Sequence, residues 1–232
     1  TSVMVVGFVN SGMMKMKQAI SIIMGAIIGT SITGWIISLS DIGGSNGLLS
    51  LLSTETLSAI TAIVGIYLRL FFKKHTHHHI GDILLGFAIL MFGMKAMSSS
   101  VSSLRESEVF ISLLTQFSNP ILGIIIGMVF TTVIQSASAS VGILQALSST
   151  GAITFEIALP IIMGIAIGAA VPVLLSAMGA SADGKRTALS YLVIDLFGVV
   201  IVSIIFYTVN AFVNFGFMDL TMTAVSIALV NT

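Results

Sequence analysis

The residues of this chain that could do chemistry come in short polar runs set inside long apolar stretches. Thr30-Ser31-Ile32-Thr33 is one such run, and Gln135-Ser136-Ala137-Ser138, continuing to Ser140, is another. A third place, Gly168-Ala169-Ala170-Val171-Pro172, interrupts an apolar run without hydroxyls. A bilayer core offers no water to stray polar groups, so hydroxyl-rich, irregular backbone at mid-depth is expected to line a protected cavity. Serine and threonine donate to oxyanion oxygens, or present lone pairs to sodium beside freed carbonyls. Helix halves that begin at the membrane centre would add unpaired N–H groups and a positive dipole end. The constellation therefore suits a phosphate-like anion and a small cation. The alternative reading is that Ser, Thr and Gly merely let helices pack closely.

Asp195 is the one acid well inside an apolar span, at 187 to 209. A charge there costs at least about 2.5 kcal/mol on insertion scales, so it reads either as a cation or proton ligand or as a carboxyl satisfied at a helix interface. Lys95 lies near a span end and can snorkel. Asp82 lies near a helix start, where an acid favours the dipole. His75-Thr76-His77-His78-His79 follows Lys73-Lys74 and reads as a solvated loop rather than a metal site. Gln145 and Glu156 fall toward one membrane face, near an entrance, and Trp35 reads as a packing or lipid-facing residue. Catalysis finds no footing, because all four histidines crowd one loop, far from the membrane serines. No glycine-rich phosphate loop with its lysine occurs either, so ATP-driven chemistry is not expected.

The elements that must position these residues are set by composition. The chain of 232 residues is 56% apolar and only 8% charged, with a mean hydropathy of +1.12. Soluble domains carry about 25% charged residues, so this is a membrane protein by composition. The net charge is zero and there is no cysteine, which leaves no case for a nucleic-acid partner, a disulfide or a thiol nucleophile. Thr1 opens directly in an apolar stretch, without a starting Met or a signal peptide, as a fragment of a longer chain would.

Continuous apolar runs without strict alternation predict helices, not a barrel. Residues 2 to 12 read as the trailing leg of a hairpin, and 18 to 38 as a span interrupted around Gly25, Gly29 and the run from Thr30 to Gly34. A Gly/Ser-rich loop is expected over 39 to 54, with spans at about 55 to 72 and 80 to 99. The stretch from 109 to 148 is divided at Asn119-Pro120, and 120 to 149 reads as a hairpin that enters the membrane and turns back near Gln135. A second interrupted span is expected at 156 to 177, another span at 187 to 209, and a last apolar segment over 217 to 232.

The chain also repeats itself. Gly12, Ala19, Ile22, Ile23, Met24, Gly25, Ile28 and Gly29 recur as Gly151, Ala158, Ile161, Ile162, Met163, Gly164, Ile167 and Gly168, a constant step of 139 residues. In so apolar a chain this is the mark of a transporter built from two halves. Repeat 1 covers about 1 to 100 and repeat 2 about 109 to 232, within a single transmembrane domain. By the same step, the counterpart of the Gln135 run falls just ahead of Thr1. Threading the spans puts Lys15, Lys17, Lys73, Lys74, Lys185 and Arg186 on one side, with Asp183. Asp41, Glu55, Glu106, Glu108, Glu156 and Asp219 fall on the other, with Arg105. The positive-inside rule places the lysine-rich face in the cytoplasm, with the two copies inverted.

Three runs carry a family likeness. Thr1-Ser2-Val3-Met4-Val5-Val6-Gly7-Phe8-Val9-Asn10-Ser11-Gly12, Gly25-Ala26-Ile27-Ile28-Gly29-Thr30-Ser31, and Gln135 through Leu147 resemble the bacterial Na⁺/phosphate cotransporter family of type II. The resemblance implies an all-α, polytopic plasma-membrane protein with inverted repeats, re-entrant helical hairpins and interrupted transmembrane helices. It implies sodium-coupled symport of inorganic phosphate by alternating access, with no cofactor beyond the coupling sodium ion. Carried over by position, Gln135, Ser136, Ser138, Thr30, Ser31 and Thr33 are expected to hold substrate and ion; Ser140, in the same run, is a further candidate, and Asp195, from its own place inside a span, is expected to assist a cation. Sodium falls to Thr30, Thr33 and Ser138. The chain departs from the family pattern at Ile27, Ala137, Ala166, Ala169, Ala170, Pro172, Tyr191 and Asp195. Those departures raise two alternatives: a transport-impaired relative with a structural or regulatory role in the membrane, or a carrier of another small anion.

Overall fold

The computed structural model describes residues 1–38, 54–72, 74–102, 119–148 and 151–232. Among the described residues the architecture is all-α. The helices are α1 Ser2–Asn10, α2 Met16–Ser38, α3 Thr54–Phe71, α4 His75–Ser102, α5 Pro120–Ile134, α6 Ala137–Ser148, α7 Phe155–Ser176, α8 Ala182–Val213 and α9 Ala224–Val230. Three of them, α2, α7 and α8, are long and apolar enough to cross a membrane. The loop expected over 39 to 54, Asp41, Lys73, Arg105, Glu106, Glu108 and the start of the 109 to 148 stretch lie outside the described residues, as do the side chains of Glu55 and Lys95.

The hairpin expected at 120 to 149 is present. Asn119 starts α5 by accepting from the N–H groups of Ile121 (3.0 Å) and Leu122 (3.5 Å), ahead of Pro120, whose missing N–H costs nothing in a first turn. Gln135 ends α5 in the left-handed region at φ 61°, with its N–H donating to the Thr131 carbonyl at 2.7 Å. Ser136 then starts α6, its hydroxyl accepting from Ala139 N–H at 3.3 Å. At 1.5 Å per residue α5 and α6 are about 22 and 18 Å long, both short of the ~30 Å hydrocarbon core. Neither leg can cross alone.

What holds α5 in place is a backbone seam with α7. A Cβ on Gly127 would run into the main chain of Ile161 and Ile165, and one on Gly164 into that of Ile124 and Met128. One on Gly168 would stand 2.6 Å from the Met128 carbonyl and 2.9 Å from Thr131 Cβ. The small-xxx-small spacings Gly123/Gly127 and Gly164/Gly168 are what let two membrane helices approach this closely. A similar contact joins α3 to α4, where a Cβ on Gly65 would lie 2.9 Å from the Gly81 carbonyl. Arg69 pairs with Asp82 across that same hairpin.

Neither expected interruption occurs. The α2 helix runs unbroken through Thr30–Gly34, and its threonine hydroxyls find acceptors on the preceding turn, so they need no break in the helix to be satisfied. Thr30 Oγ1 donates to the Ile27 carbonyl and Thr33 Oγ1 to that of Gly29 at 3.1 Å. The α7 helix likewise continues past Pro160 and Pro172, both inside it.

The two copies of the repeat share their local structure. Gly12 (φ 74°) and Gly151 (φ 72°) both adopt the left-handed conformation that glycine takes at no steric cost. Gly12 N–H donates to Val9 and Gly151 N–H to Ser148, again 139 residues apart. After those turns α2 and α7 start at equivalent residues, and Ala19 and Ala158 are each fully buried. The two helices run in opposite directions. The start of α2 and the end of α7 meet where the Asn10 side chain accepts from Ser181 N–H at 2.7 Å. The opposite end gathers Gly34, whose carbonyl accepts from Gln145 Nε2 at 3.0 Å, and the start of α7, where Glu156 N–H donates to Met218. Lys15, Lys17, Lys185 and Arg186 thus flank one end, and Glu156 and Asp219 the other.

One apolar core joins α6, α7 and α9 through Val141, Leu144, Ile157, Ile161 and Ile227. A second joins α1, α2, α7 and α8 through Val5, Val6, Ile23, Val173 and Tyr191. Outward, α8 exposes Val193, Phe197, Ile204 and Phe212, and α5 exposes Ile121, Val129 and Val133. Those faces suit lipid, and the chain is a membrane protein.

Candidate functional site

The turn between α5 and α6 opens onto a cavity of about 400 Å³ between the two cores. Gln135, Ala137 and Ser138 supply the tip, Gly29, Thr30 and Thr33 the middle of α2, and Ala169, Pro172 and Val173 the facing wall of α7. Thr1, Ser2 and Tyr191 complete it. Residues about a hundred positions apart in the chain thereby face one space. The first turn of α6 leaves the N–H groups of Ala137 and Ser138 without helical acceptors, and they stand at the positive end of that helix.

A second chamber, of about 190 Å³, adjoins the first and shares Thr30, Ala137, Ala169 and Tyr191 with it. Its remaining polar lining is Ser31, Asp195, Asn231 and Thr232. Asp195 is only 8% exposed and makes no hydrogen bond or ion pair to a described residue. Ser31 Oγ donates to the Asn231 carbonyl at 3.0 Å, and Thr232 Oγ1 donates to Ala228 at 2.8 Å while accepting from Trp35 Nε1 at 3.0 Å. Trp35, expected as a packing or lipid-facing residue, is 40% exposed and has a polar anchor in Thr232. Gln145 lines neither space. It is buried and donates to the carbonyls of Gly34 and Ala224, tying α2, α6 and α9 together.

The expected site residues therefore divide. Gln135, Ser138, Thr30 and Thr33 line the larger cavity, and Thr30, Ser31 and Asp195 the smaller. Ser136 and Ser140 line neither. Ser136 is the helix start described above, and Ser140, fully buried, donates to the Ser136 carbonyl at 3.0 Å. Tyr191, Asn231 and Thr232 are lining residues that the polar runs did not point to. The i, i+4 spacing of Tyr191 and Asp195 could have placed both on one face of α8. Asn231 and Thr232 carry no comparable signal. The histidines open α4, where His78 Nε2 lies 2.6 Å from the Phe72 carbonyl. Among the described residues no group of three or more His, Cys, Asp or Glu could hold a metal.

The chain is 25% identical over 203 residues to "Uncharacterized protein YqeW" of Bacillus subtilis, covering 86% of this chain and 61% of that one. It is 23% identical over 206 residues to the Escherichia coli "Putative inorganic phosphate export protein YjbB", covering 87% of this chain and 35% of the other. A human relative, "Sodium-dependent phosphate transport protein 2B", is 32% identical over 121 residues, half of this chain and 18% of its own. The chain thus spans less than two thirds of these relatives. No solved structure matches it. The family model described as Na+/Pi-cotransporter matches residues 1–99 and again 89–226. With a match over nearly its whole length, the chain belongs to the Na⁺/Pi-cotransporter family.

Proposed function

We propose that this chain carries inorganic phosphate across the plasma membrane coupled to sodium, by alternating access, as a single domain built from two inverted repeats. The observation that carries the reading is the larger cavity, where the turn of a short helical hairpin meets the hydroxyl face of α2. Gln135, Ser138 and the free N–H groups of the α6 first turn are the donors that suit phosphate oxygens. The opposed courses of α2 and α7 and the matched turns at Gly12 and Gly151 support the inverted repeat. A carrier of this kind runs in whichever direction the gradients dictate, so a relative named for export and others named for sodium dependence fit one mechanism.

The test is uptake. Protein in liposomes with an inward sodium gradient takes up phosphate, and takes up little when choline replaces sodium. Uptake indifferent to sodium overturns sodium coupling. A second reading, a relative that binds or scaffolds without transporting, draws on the α7 wall. There Ala169 and Pro172 face the cavity at the positions where the first copy has Thr30 and Thr33. Protein that neither transports phosphate nor melts higher with it favours that reading, because a ligand at a hundred times its Kd adds about 2.7 kcal/mol of stability.

A further inference from the structure

The turn between α3 and α4 carries charge that neither cavity uses. Lys74, His75, His77, His78 and His79 crowd one stretch, with Lys73 before them in sequence. The histidines form the first turn of α4, so His75, His78 and His79 share one helical face at i, i+3 and i+4. Two of the four rings are held. His78 Nε2 donates to the Phe72 carbonyl at 2.6 Å, and the His77 ring lies 4.7 Å from that of Phe72. Lys74, His75 and His79 are exposed, and their side chains make no hydrogen bond or ion pair to a described residue. Little negative charge stands against them. Asp82, the only acid in the α4 sequence, is paired with Arg69 of α3. The other ionisable groups of α3 are Tyr67, beside the turn, and Glu55, at the far end of that helix. Of the other helices packed on α4, α6 has no titratable residue, and α2 meets it at Ile37, remote from Lys17.

An aromatic patch adjoins these cations. The Tyr67 ring lies 4.8 Å from that of Phe71 and 6.0 Å from that of Phe72, and Leu70 and Phe71 stand exposed where the apolar stretch Ser58–Phe71 ends. Rings followed at once by cations mark the depth where hydrocarbon gives way to headgroups on the cytoplasmic face. We infer that the α3–α4 turn is a docking site for anionic phospholipid, with Tyr67, Phe71 and Phe72 seated at the headgroup boundary and Lys74, His75 and His79 meeting the phosphate. Charge complementarity selects the lipid. A zwitterionic headgroup brings its own cation to a surface that already has several, whereas an anionic one brings only what the surface lacks. Imidazole is the side chain whose charge changes between pH 5 and 8. Binding therefore tightens as pH falls, because the headgroup favours the protonated rings. Lys15, Lys17 and Lys185, at the same face, attract anionic lipid equally at either pH.

The site stands whatever the cavity carries, and its test needs no transport. The full chain in detergent is melted with a short-chain phosphatidylglycerol or phosphatidylcholine, at pH 8 and at pH 5.5. The difference between the two lipids at each pH cancels the effect of pH on the fold itself. Phosphatidylglycerol raises the melting temperature more than phosphatidylcholine does. Its half-saturating concentration falls between pH 8 and pH 5.5 by about fivefold for each ring that gains a charge. The double variant His75→Gln/His79→Gln loses most of that pH response and keeps the response at pH 8, whereas Lys74→Gln weakens binding at both. Should the double variant fail to fold, His75→Gln and His79→Gln singly carry the test, each removing part of the pH response. Equal rises from the two lipids, a phosphatidylglycerol response identical at both pH values, or histidine variants that keep the full pH response each overturn the proposal. Glycerol phosphate that stabilises as well as the lipid also overturns it, since the site would then take a soluble anion.

Discussion

At the scale of single residues, the hairpin turn separates two serines that look alike in sequence. Ser138 lines the cavity, and no hydrogen bond to a described residue occupies its hydroxyl. Ser140 is buried and donates to Ser136. Ser138→Ala should therefore weaken phosphate binding without lowering the melting temperature. Ser140→Ala should do the reverse, costing about 1 kcal/mol for a lost buried hydrogen bond. Phosphate titration and thermal melting of both variants check the pair, and equal effects in both assays would erase the distinction. Sequence showed that this run turns inward, because Gln135 and the hydroxyls stand out against apolar flanks. It did not show which hydroxyl faces the cavity, since Ser136, Ser138 and Ser140 share residue type and differ only in helix phase. Tyr191 was legible only through its i, i+4 spacing from Asp195, and Asn231 and Thr232 were hidden because no polar run marks their segment.

At the scale of elements, the α5–α7 seam and the matching stretch of α2 behave as opposites. Gly168 has main-chain atoms where a Cβ would go, whereas Gly25 and Gly29 have nothing within 4 Å. Gly168→Ala should destabilise the fold by more than about 2 kcal/mol, because backbone cannot give way as a side chain can. Gly25→Ala should be neutral, or stabilise by up to about 1 kcal/mol through better helix propensity. Chemical denaturation in detergent micelles distinguishes them. The helix bounds were largely legible from the apolar runs, and the hairpin from its short legs and Asn119-Pro120. The interruption of α2 was misleading, because Thr30 and Thr33 resemble a break in composition yet satisfy themselves on the turn below. Pro172 misled likewise: it costs α7 one hydrogen bond without ending it.

At the scale of the whole molecule, charge sorts the two ends. Lys15, Lys17, Lys185 and Arg186 flank the Asn10–Ser181 end, and Glu156 and Asp219 the Gly151 end. With no native cysteine, single-cysteine labelling reads orientation cleanly. Met178→Cys, at a position 76% exposed, should react with an impermeant maleimide only from the cytoplasmic side, and Leu220→Cys, 63% exposed, only from outside. Labelling of both from one side would refute the assigned orientation. At this level the sequence offers loop charges and a constant repeat step, and both persist where the candidate site residues differ between the copies.

The glycine seam carries a mechanical consequence. Two helices in backbone contact cannot slide or rock past each other without a steric collision at every turn, so α5 and α7 form one stiff plate. The other leg, α6, is tied to α2 and α9 through Gln145 and rests on α7 only through apolar side chains such as Val141 and Leu144. Any movement of that leg against the plate would have to bend at the joint between them, Gln135 and Ser136. Gln135 would then face the cavity and serve as one half of a hinge.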